Sequence, residues 1–407
     1  MSDERPHFFD HTPESLGELF RGWGRPRYRA KQVMDWVYAK GIVDPAKMTN
    51  LGQADRELLS TRMRFLDGAI VQHQRATDGT QKLLVDWSLE SDAPGYPPDN
   101  PLNVLGSLPG DSTTQTECVM IPSDHDSSGR KRRTACISSQ VGCPVGCKFC
   151  ASGLGGLDGN LTTGQIVQQA WQLSWVLGFG DWGLGHSSQT RVSESYASPN
   201  TQNQKPNPHR ITNVVFMGMG EPMANLRHVL PAVRTLAADW GMGLSARKIT
   251  VSTVGVPAGI RKLADLDLPV TLAISLHAPN DHIRQQIIPW AEFVSIEQLT
   301  DAGRDYFNKT GREITLEYIL LGGLNDQPDH AHELVGVTRK LRSNINLIRY
   351  NEVAGLPFAR PADRDVHTFQ NILQQAGVNT HIRASRGRDI AAACGQLRHE
   401  SASNSNS

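Results

Sequence analysis

From Ala135 onward the sequence alternates short β-rich runs with helical patterns, and this rhythm restricts the possible folds more than any other feature. The β-rich runs are Ala135–Ser139, Ile211–Met217, Lys248–Thr253, Val270–Leu276, Glu313–Leu320, Ile345–Tyr350 and Asn379–Arg383, with amphipathic stretches such as Thr163–Leu177 and His228–Trp240 between them. Strands separated by helices pair in parallel through crossovers, which predicts repeated βα units around one sheet, an α/β fold closed into a curved or partial barrel. In such folds the chemistry gathers at the carboxyl ends of the strands.

Before the barrel segment, 135–398, two regions read differently. Leu16, Leu19 and Phe20, then Val33, Trp36 and Val37, then Leu58 and Leu59 recur at spacings that make one apolar face, so 1–65 is predicted as a helical N-terminal domain. Arg21, Arg25, Arg27, Arg29 and Lys31 decorate it, either as a solvated helix surface or as a patch facing a polyanion such as RNA. Alternating segments at Ala69–Gln74, Lys82–Trp87 and Glu117–Ile121 predict short antiparallel strands in a linker region, 66–134. A Pro-, Gly-, Ser- and Asp-rich stretch over 90–116 and a Ser-, Gln-, Asn- and Thr-rich one over 181–209 have little to bury and read as dispensable insertions; 399–407 reads as a disordered tail.

With 39% hydrophobic residues in 407, the chain can bury one large core or two modest ones. Its apolar runs fall short of the roughly 20 residues that span a bilayer, and its first residues carry no hydrophobic signal region, so the cytoplasm is the expected location. Forty-one basic residues balance 41 acidic ones, so any case for a polyanionic partner rests on local clusters. Two stand out: Arg130-Lys131-Arg132-Arg133, and His381, Arg383, Arg386, Arg388 and Arg398 around Cys394. Both suit phosphate contact, with a solvated loop as the other reading of the first.

Six cysteines occur, and three of them, Cys143, Cys147 and Cys150, form CxxxCxxC just after the first predicted barrel strand. Such crowding suits a metal site better than disulfides. Three thiolates can hold three irons of a 4Fe–4S cluster, leaving the fourth iron open to a small chelator such as the amine and carboxylate of S-adenosylmethionine (SAM). A zinc site is the alternative, with its fourth ligand supplied by a distant Cys or His.

The wider context extends this reading. Ala135-Cys136-Ile137-Ser138-Ser139-Gln140-Val141-Gly142-Cys143, Phe216-Met217-Gly218-Met219-Gly220-Glu221-Pro222, Ser275-Leu276-His277-Ala278 and Ala392-Ala393-Cys394-Gly395-Gln396-Leu397 stand in order along the chain. Together with the triad they resemble the RlmN/Cfr family of radical SAM RNA adenine methyltransferases. The resemblance implies a partial (β/α)6-type radical SAM barrel with a helical N-terminal accessory domain, one 4Fe–4S cluster on Cys143, Cys147 and Cys150, and two SAM molecules per turnover. It also implies SAM contacts at Gly220, Glu221, Ser252, Ser275, Leu276, His277 and Asn351, although the run Arg349-Tyr350-Asn351-Glu352 lacks a proline expected there.

For the chemistry, the resemblance implies that Cys394 takes a methyl group from one SAM. A radical derived from the second SAM then removes a hydrogen from that methyl, and the resulting carbon radical adds to the adenine. Loss of an electron and of a proton, with Glu117 as acceptor, leaves an RNA–protein thioether. Cys136 releases it as methylated RNA and a disulfide with Cys394. Cys118 matches no catalytic motif and reads as a buried strand cysteine. The implied partners are 23S rRNA at the peptidyl-transferase centre, tRNA beside the anticodon and an electron donor such as flavodoxin, with a monomer expected. A base must leave its stack to reach a buried cluster, so RNA shape is the expected basis of recognition. Methylation at adenine carbon 2 is favoured over carbon 8; another radical SAM substrate and a zinc-containing RNA-binding module stay open.

Overall fold

The computed structural model describes residues 5–87, 114–123, 131–175 and 210–397. Nearly all of the expected insertions, the whole of the tail over 399–407, and Arg130 and Arg398 lie outside the described residues.

The N-terminal part holds α1 (Pro13–Gly22), α2 (Arg29–Met34) and α3 (Gln53–Arg62). Thr12 and Ser15 cap α1 reciprocally and Pro13 opens it, so the helix starts where its first amides have acceptors. Leu16 and Phe20 of α1, Val33 of α2 and Leu59 of α3 are fully buried in one core. This unit docks on α4 (Thr163–Trp175), every residue of which is buried. Three of the four buried glutamines of α4 are paired: Gln165 donates to Asp67, Gln168 to the Asp67 carbonyl and Gln169 to the Ser138 carbonyl, whereas Gln172 Oε1 finds no hydrogen-bond partner among the described residues. His7 meets Gln168 at 3.1 Å, and Trp171 donates to the Val37 carbonyl at 2.9 Å.

Among the described residues twelve strands follow: β1 (Ala69–Arg75), β2 (Gln81–Asp86), β3 (Gln115–Ser123), β4 (Arg132–Cys136), β5 (Gln140–Gly142), β6 (Leu157–Asn160), β7 (Asn213–Phe216), β8 (Ile249–Thr253), β9 (Thr271–Ser275), β10 (Ile314–Leu320), β11 (Ser343–Arg349) and β12 (Thr380–Arg383). Ten of them form one sheet in the order β1-β2-β3-β4-β7-β8-β9-β10-β11-β12. Pairing is antiparallel from β1 to β4 and parallel from β4 to β12. Helices follow the parallel strands in turn: α4 after β4, α5 (Leu226–Ala237) after β7, α6 (Pro257–Ala264) after β8, α7 (Asp281–Ile287) and α8 (Ile296–Thr310) after β9, α9 (Pro328–Thr338) after β10 and α10 (Asp363–Gln375) after β11. The result is the expected α/β partial (β/α)6 barrel with a helical N-terminal region, and β1–β3 extend its sheet.

The first barrel strand ends at Cys136, earlier than the run Ala135–Ser139 suggests. Beyond it the Ser138 side chain donates to the Glu117 carbonyl and its amide bonds to Gln169, which draws the chain off the sheet. There β5 and β6 form a separate hairpin that the sequence reading did not contain. After β12, residues 384–397 cross the strand ends to the β1–β2 turn, where Thr77 N donates to Asp389 and Gly387 N to Asp78. The segment thereby links the two edge strands. Among the described residues no helix is long and apolar enough to cross a membrane.

Candidate active site

Strand register decides which side chains share the inner face. Cys136 on β4 lies opposite Val119 on β3 and Val215 on β7, and Glu117 is two residues from Val119. Because side chains alternate along a strand, Glu117 faces the same side as Cys136, while Cys118 faces the other. Cys118 is accordingly buried in the main core, whereas Val119, Cys136 and Val215 form a small cluster beneath Ala392 and Leu397. Across β9 to β12, Ser275 lies opposite Glu317, Glu317 opposite Asn346, and Ile348 opposite Arg383, on the same inner face.

The cysteine triad occupies the loop between β5 and β6. Glycine is required at its entry: Gly142 has φ +72°, and a Cβ there would lie 2.1 Å from the Gly156 carbonyl oxygen. The Cys143 amide donates to that oxygen at 2.6 Å, the Lys148 amide to Ile287 and the Ala151 amide to Gly395. Cys143, Cys147 and Cys150 line one cavity with Gly220, Glu221, Ser252, Ser275, His277 and Cys394. Burial pushes all three thiols above the ordinary cysteine range, and Cys143 and Cys150 add to that at Cys147. One zinc ion would need its ligands to converge on a single point, and among the described residues no three Cys, His, Asp or Glu side chains do so. A 4Fe–4S cluster takes one thiolate per iron, so three thiols around one cavity suit it; Cys143, Cys147 and Cys150 would hold three irons and the cavity's remaining wall would be available to a further ligand.

That wall is built by the ends of β7, β8 and β9. Gly220, at φ +96°, comes so close to β5 that a Cβ would lie 2.6 Å from Gln140 Cβ. The next residue, Glu221, accepts from the Met223 amide at 2.9 Å on one carboxylate oxygen and the Val254 amide at 2.8 Å on the other, with the Thr253 side chain as a third donor. Burial nevertheless raises its carboxyl to about 7, so a cation arriving in the cavity would favour the ionised form. Ser252 and Ser275 hydroxyls stand 3.5 Å apart. His277, a non-glycine residue at φ +59°, accepts the Ile319 amide on Nδ1 at 3.0 Å, and burial lowers its pKa to about 3. The ring is therefore neutral with its proton on Nε2, a donor for the cavity.

Other sequence candidates fall elsewhere. The Leu276 side chain lies in the core and its amide donates to the Glu317 carbonyl. Asn351 donates to the Cys394 carbonyl at 3.4 Å and lines a second cavity with Cys136, Met217, Arg383, Ala393 and Cys394. Glu117 lines neither cavity; it is buried in an ion pair with Lys82 at 2.6 Å. Cys394 belongs to both cavities and is accessible to solvent, yet the protein around it desolvates a thiolate and raises the thiol to about 11, with Arg383 opposing. Burial raises Cys136 to about 12, with Cys394 adding and Arg383 opposing.

Arg383, one of the basic residues whose sequence setting suits phosphate contact, turns inward. It pairs with the buried Glu317 at 3.5 Å and lines both cavities beside the thiols. His381, Arg388, Lys131 and Arg132 stay exposed. In the N-terminal region Arg21 and Arg27 pair with Glu18, and Arg25 and Arg29 with Asp55, so much of that patch is internally compensated. Lys82 and Glu317 carry no local motif; only pairing to an acidic or basic partner across the sheet singles them out.

Comparison with known proteins agrees with this geometry. A solved radical SAM methyltransferase from Sphaerobacter thermophilus superposes with a TM-score of 0.80 at 35% identity, over 97% of this chain and 100% of that one. Fold and cavity together define an enzyme of the radical SAM methyltransferase class. Residues 7–64 match the family model described as the ribosomal RNA large subunit methyltransferase N-terminal domain. The "Dual-specificity RNA methyltransferase RlmN" of Dichelobacter nodosus is 36% identical over 97% of this chain and 94% of its own length. The "Probable dual-specificity RNA methyltransferase RlmN" of Salinibacter ruber is 40% identical over 93% and 89%. The chain belongs to the RlmN family of RNA methyltransferases.

Proposed function

We propose that the chain methylates carbon 2 of an adenine in 23S rRNA at the peptidyl-transferase centre, and in tRNA beside the anticodon, through an S-methylcysteine at Cys394. The observation that supports it best is the position of Cys394, which lines the triad cavity on one side and the Cys136 cavity on the other. A residue that receives a methyl group in one compartment and surrenders it beside a second thiol needs that double exposure.

Cys143, Cys147 and Cys150 would hold the cluster, and Gly220, Glu221, Ser252, Ser275 and His277 would seat SAM against it. When bound, cluster and SAM supply a carbon-centred radical able to take hydrogen from an S-methyl group. Glu221 offers its remaining acceptor capacity to the SAM ammonium, and His277 Nε2–H donates without adding charge. Cys394, as a thiolate that Arg383 favours electrostatically, first attacks the methyl carbon of SAM; the new S–C bond forms as the sulfonium C–S bond breaks and S-adenosylhomocysteine leaves. After the S-methylene radical adds to the base, Glu117 accepts the ring proton and the remaining unpaired electron passes to a one-electron acceptor of the iron–sulfur class, which leaves the closed-shell thioether. Cys136, as thiolate, attacks the Cys394 sulfur; the S–S bond forms as the carbon–sulfur bond breaks, the released carbon takes a proton, and a two-electron donor of the flavodoxin or thiol type regenerates both thiols. The reaction is placed in the cytoplasm, with the chain as a monomer.

Mass spectrometry of nucleosides from rRNA and tRNA of a strain lacking this gene tests the assignment. Loss of 2-methyladenosine from both is expected. Loss of 8-methyladenosine, with 2-methyladenosine intact, would move the reaction to carbon 8.

A further inference from the structure

Lys82 lies on β2, outside the βα units, yet its side chain reaches the inner face. Lys82 and Leu84 share one face of β2, and Leu84 lies opposite Glu117. Its ammonium sits 2.6 Å from Glu117 Oε1, with the two side chains only 8% and 7% exposed. The same ammonium donates to the Ala391 carbonyl at 3.3 Å. Ala391 is three residues before Cys394 and is a non-glycine residue at φ +48°. One cation thus joins the proposed proton acceptor to the segment that carries the proposed methyl carrier.

We infer that Lys82 is a positioning residue for RNA methylation: it holds Glu117 ionised and oriented, and ties the Cys394 segment across the strand ends through Ala391. The inference rests on the reading of Glu117 as proton acceptor. Without a cation beside it, burial in that place pushes a carboxyl towards its protonated form and weakens it as a base. The ammonium prevents this by supplying a fixed positive charge and a short charge-assisted bond. The lysine's second bond goes to a carbonyl whose residue has a backbone conformation unfavourable for alanine, so the segment needs an outside contact to keep it. Two further ties, Thr77 N to Asp389 and Gly387 N to Asp78, hold the segment to the same β1–β2 hairpin, while Asn351 and the Ala151 amide hold the stretch at Cys394 and Gly395, so the particular role of the Lys82 tie is to join this segment to Glu117.

Transfer of the methyl group from SAM to Cys394 does not use Glu117, whereas completion of RNA methylation does, so the two steps separate a positioning role from a general structural one. The test compares Lys82→Met, Lys82→Arg and Glu117→Gln as cluster-loaded full-length protein, reading S-methylation of Cys394 by peptide mass spectrometry and RNA methylation by single turnover. Lys82→Met should retain Cys394 methylation and lose RNA methylation by about 100-fold or more, the scale of a lost general base. Lys82→Arg should restore most of the loss, because it keeps the charge within reach of the carboxylate. RNA methylation by Lys82→Met within about threefold of the parent, with Glu117→Gln inactive, would overturn the role of Lys82 alone. Full activity in Glu117→Gln would overturn the reading of Glu117 and the inference with it. Equal loss of both steps in Lys82→Met, unrescued in Lys82→Arg, would reduce Lys82 to a structural residue.

Discussion

Replacing Gly220 by Ala is a severe test of how the SAM wall is built, because two independent costs fall on one methyl group. The residue sits at φ +96°, a region that costs an L-residue roughly 1–3 kcal/mol. The added Cβ would also lie 2.6 Å from Gln140 Cβ and 2.8 Å from both the Gln140 amide and Ser139 Oγ. Gln140 cannot retreat cheaply, since its Oε1 accepts the Glu221 amide at 2.8 Å and its Nε2 donates to Asn160 at 2.7 Å. Overpacking of this kind adds roughly 1–3 kcal/mol, so the total is about 2–6 kcal/mol. The chain can relieve it locally by moving the turn, which detaches Glu221 from the Met223 and Val254 amides. SAM affinity, measured by calorimetry on anaerobically reconstituted protein, should then weaken by a factor on the order of 30 to 1000, the equivalent of about 2–4 kcal/mol. Gly377→Ala is the control: φ is +80° but nothing lies within 4 Å of the new Cβ, so stability should fall slightly with SAM affinity unchanged. SAM binding by Gly220→Ala within about threefold of the parent, a difference of about 0.6 kcal/mol, would refute the close-approach reasoning.

Alanine at Cys143, Cys147 or Cys150 should abolish the broad absorption near roughly 400 nm together with SAM cleavage, and four irons retained in all three variants would defeat the cluster assignment. Cys136→Ala should keep the cluster and Cys394 methylation yet stall late, carrying an RNA fragment on Cys394 detectable as nucleotide mass after nuclease digestion; normal turnover would contradict the thioether route. His7 is buried against Gln168 and its pKa is lowered to about 4 from 6.5, mainly by desolvation. The unfolded chain therefore binds this proton first as pH falls, so the stability associated with a neutral His7 is fully present above pH 6.5 and lost towards pH 4. Denaturant titrations across that range should show a shallower pH dependence for His7→Gln than for the parent, and parallel curves would show that His7 does not titrate between the two states.

Much of the architecture was legible because its signals are local. Apolar β-rich runs such as Val270–Leu276 and Glu313–Leu320 became β9 and β10 with their ends trimmed by a residue or two, where the sheet's hydrogen bonds stop. The β5–β6 hairpin was not legible, since three- and four-residue strands around a glycine-rich loop carry too few side chains to show a period. Leu276 shares a motif with Ser275 and His277, yet alternation along the chain sends its side chain to the core.

By itself the sequence determined the parallel sheet, the position of the triad after its first strand and the Gly220–Glu221 turn after its second, because each depends on spacing within a few residues. Whether Glu117 or Cys118 faces the site was decided by the register of β3 against β4, a relation between strands that no local pattern encodes. The meeting of Cys394 with Cys136 likewise depends on a segment that leaves one edge of the sheet and is held at the other by Thr77, Asp78 and Lys82. Arg383 shows the same limit: among neighbouring basic residues it looks like a phosphate ligand, and only the buried Glu317 two strands away turns it inward towards the thiols. Burial of that carboxylate required a cation, and the folded sheet determined which one.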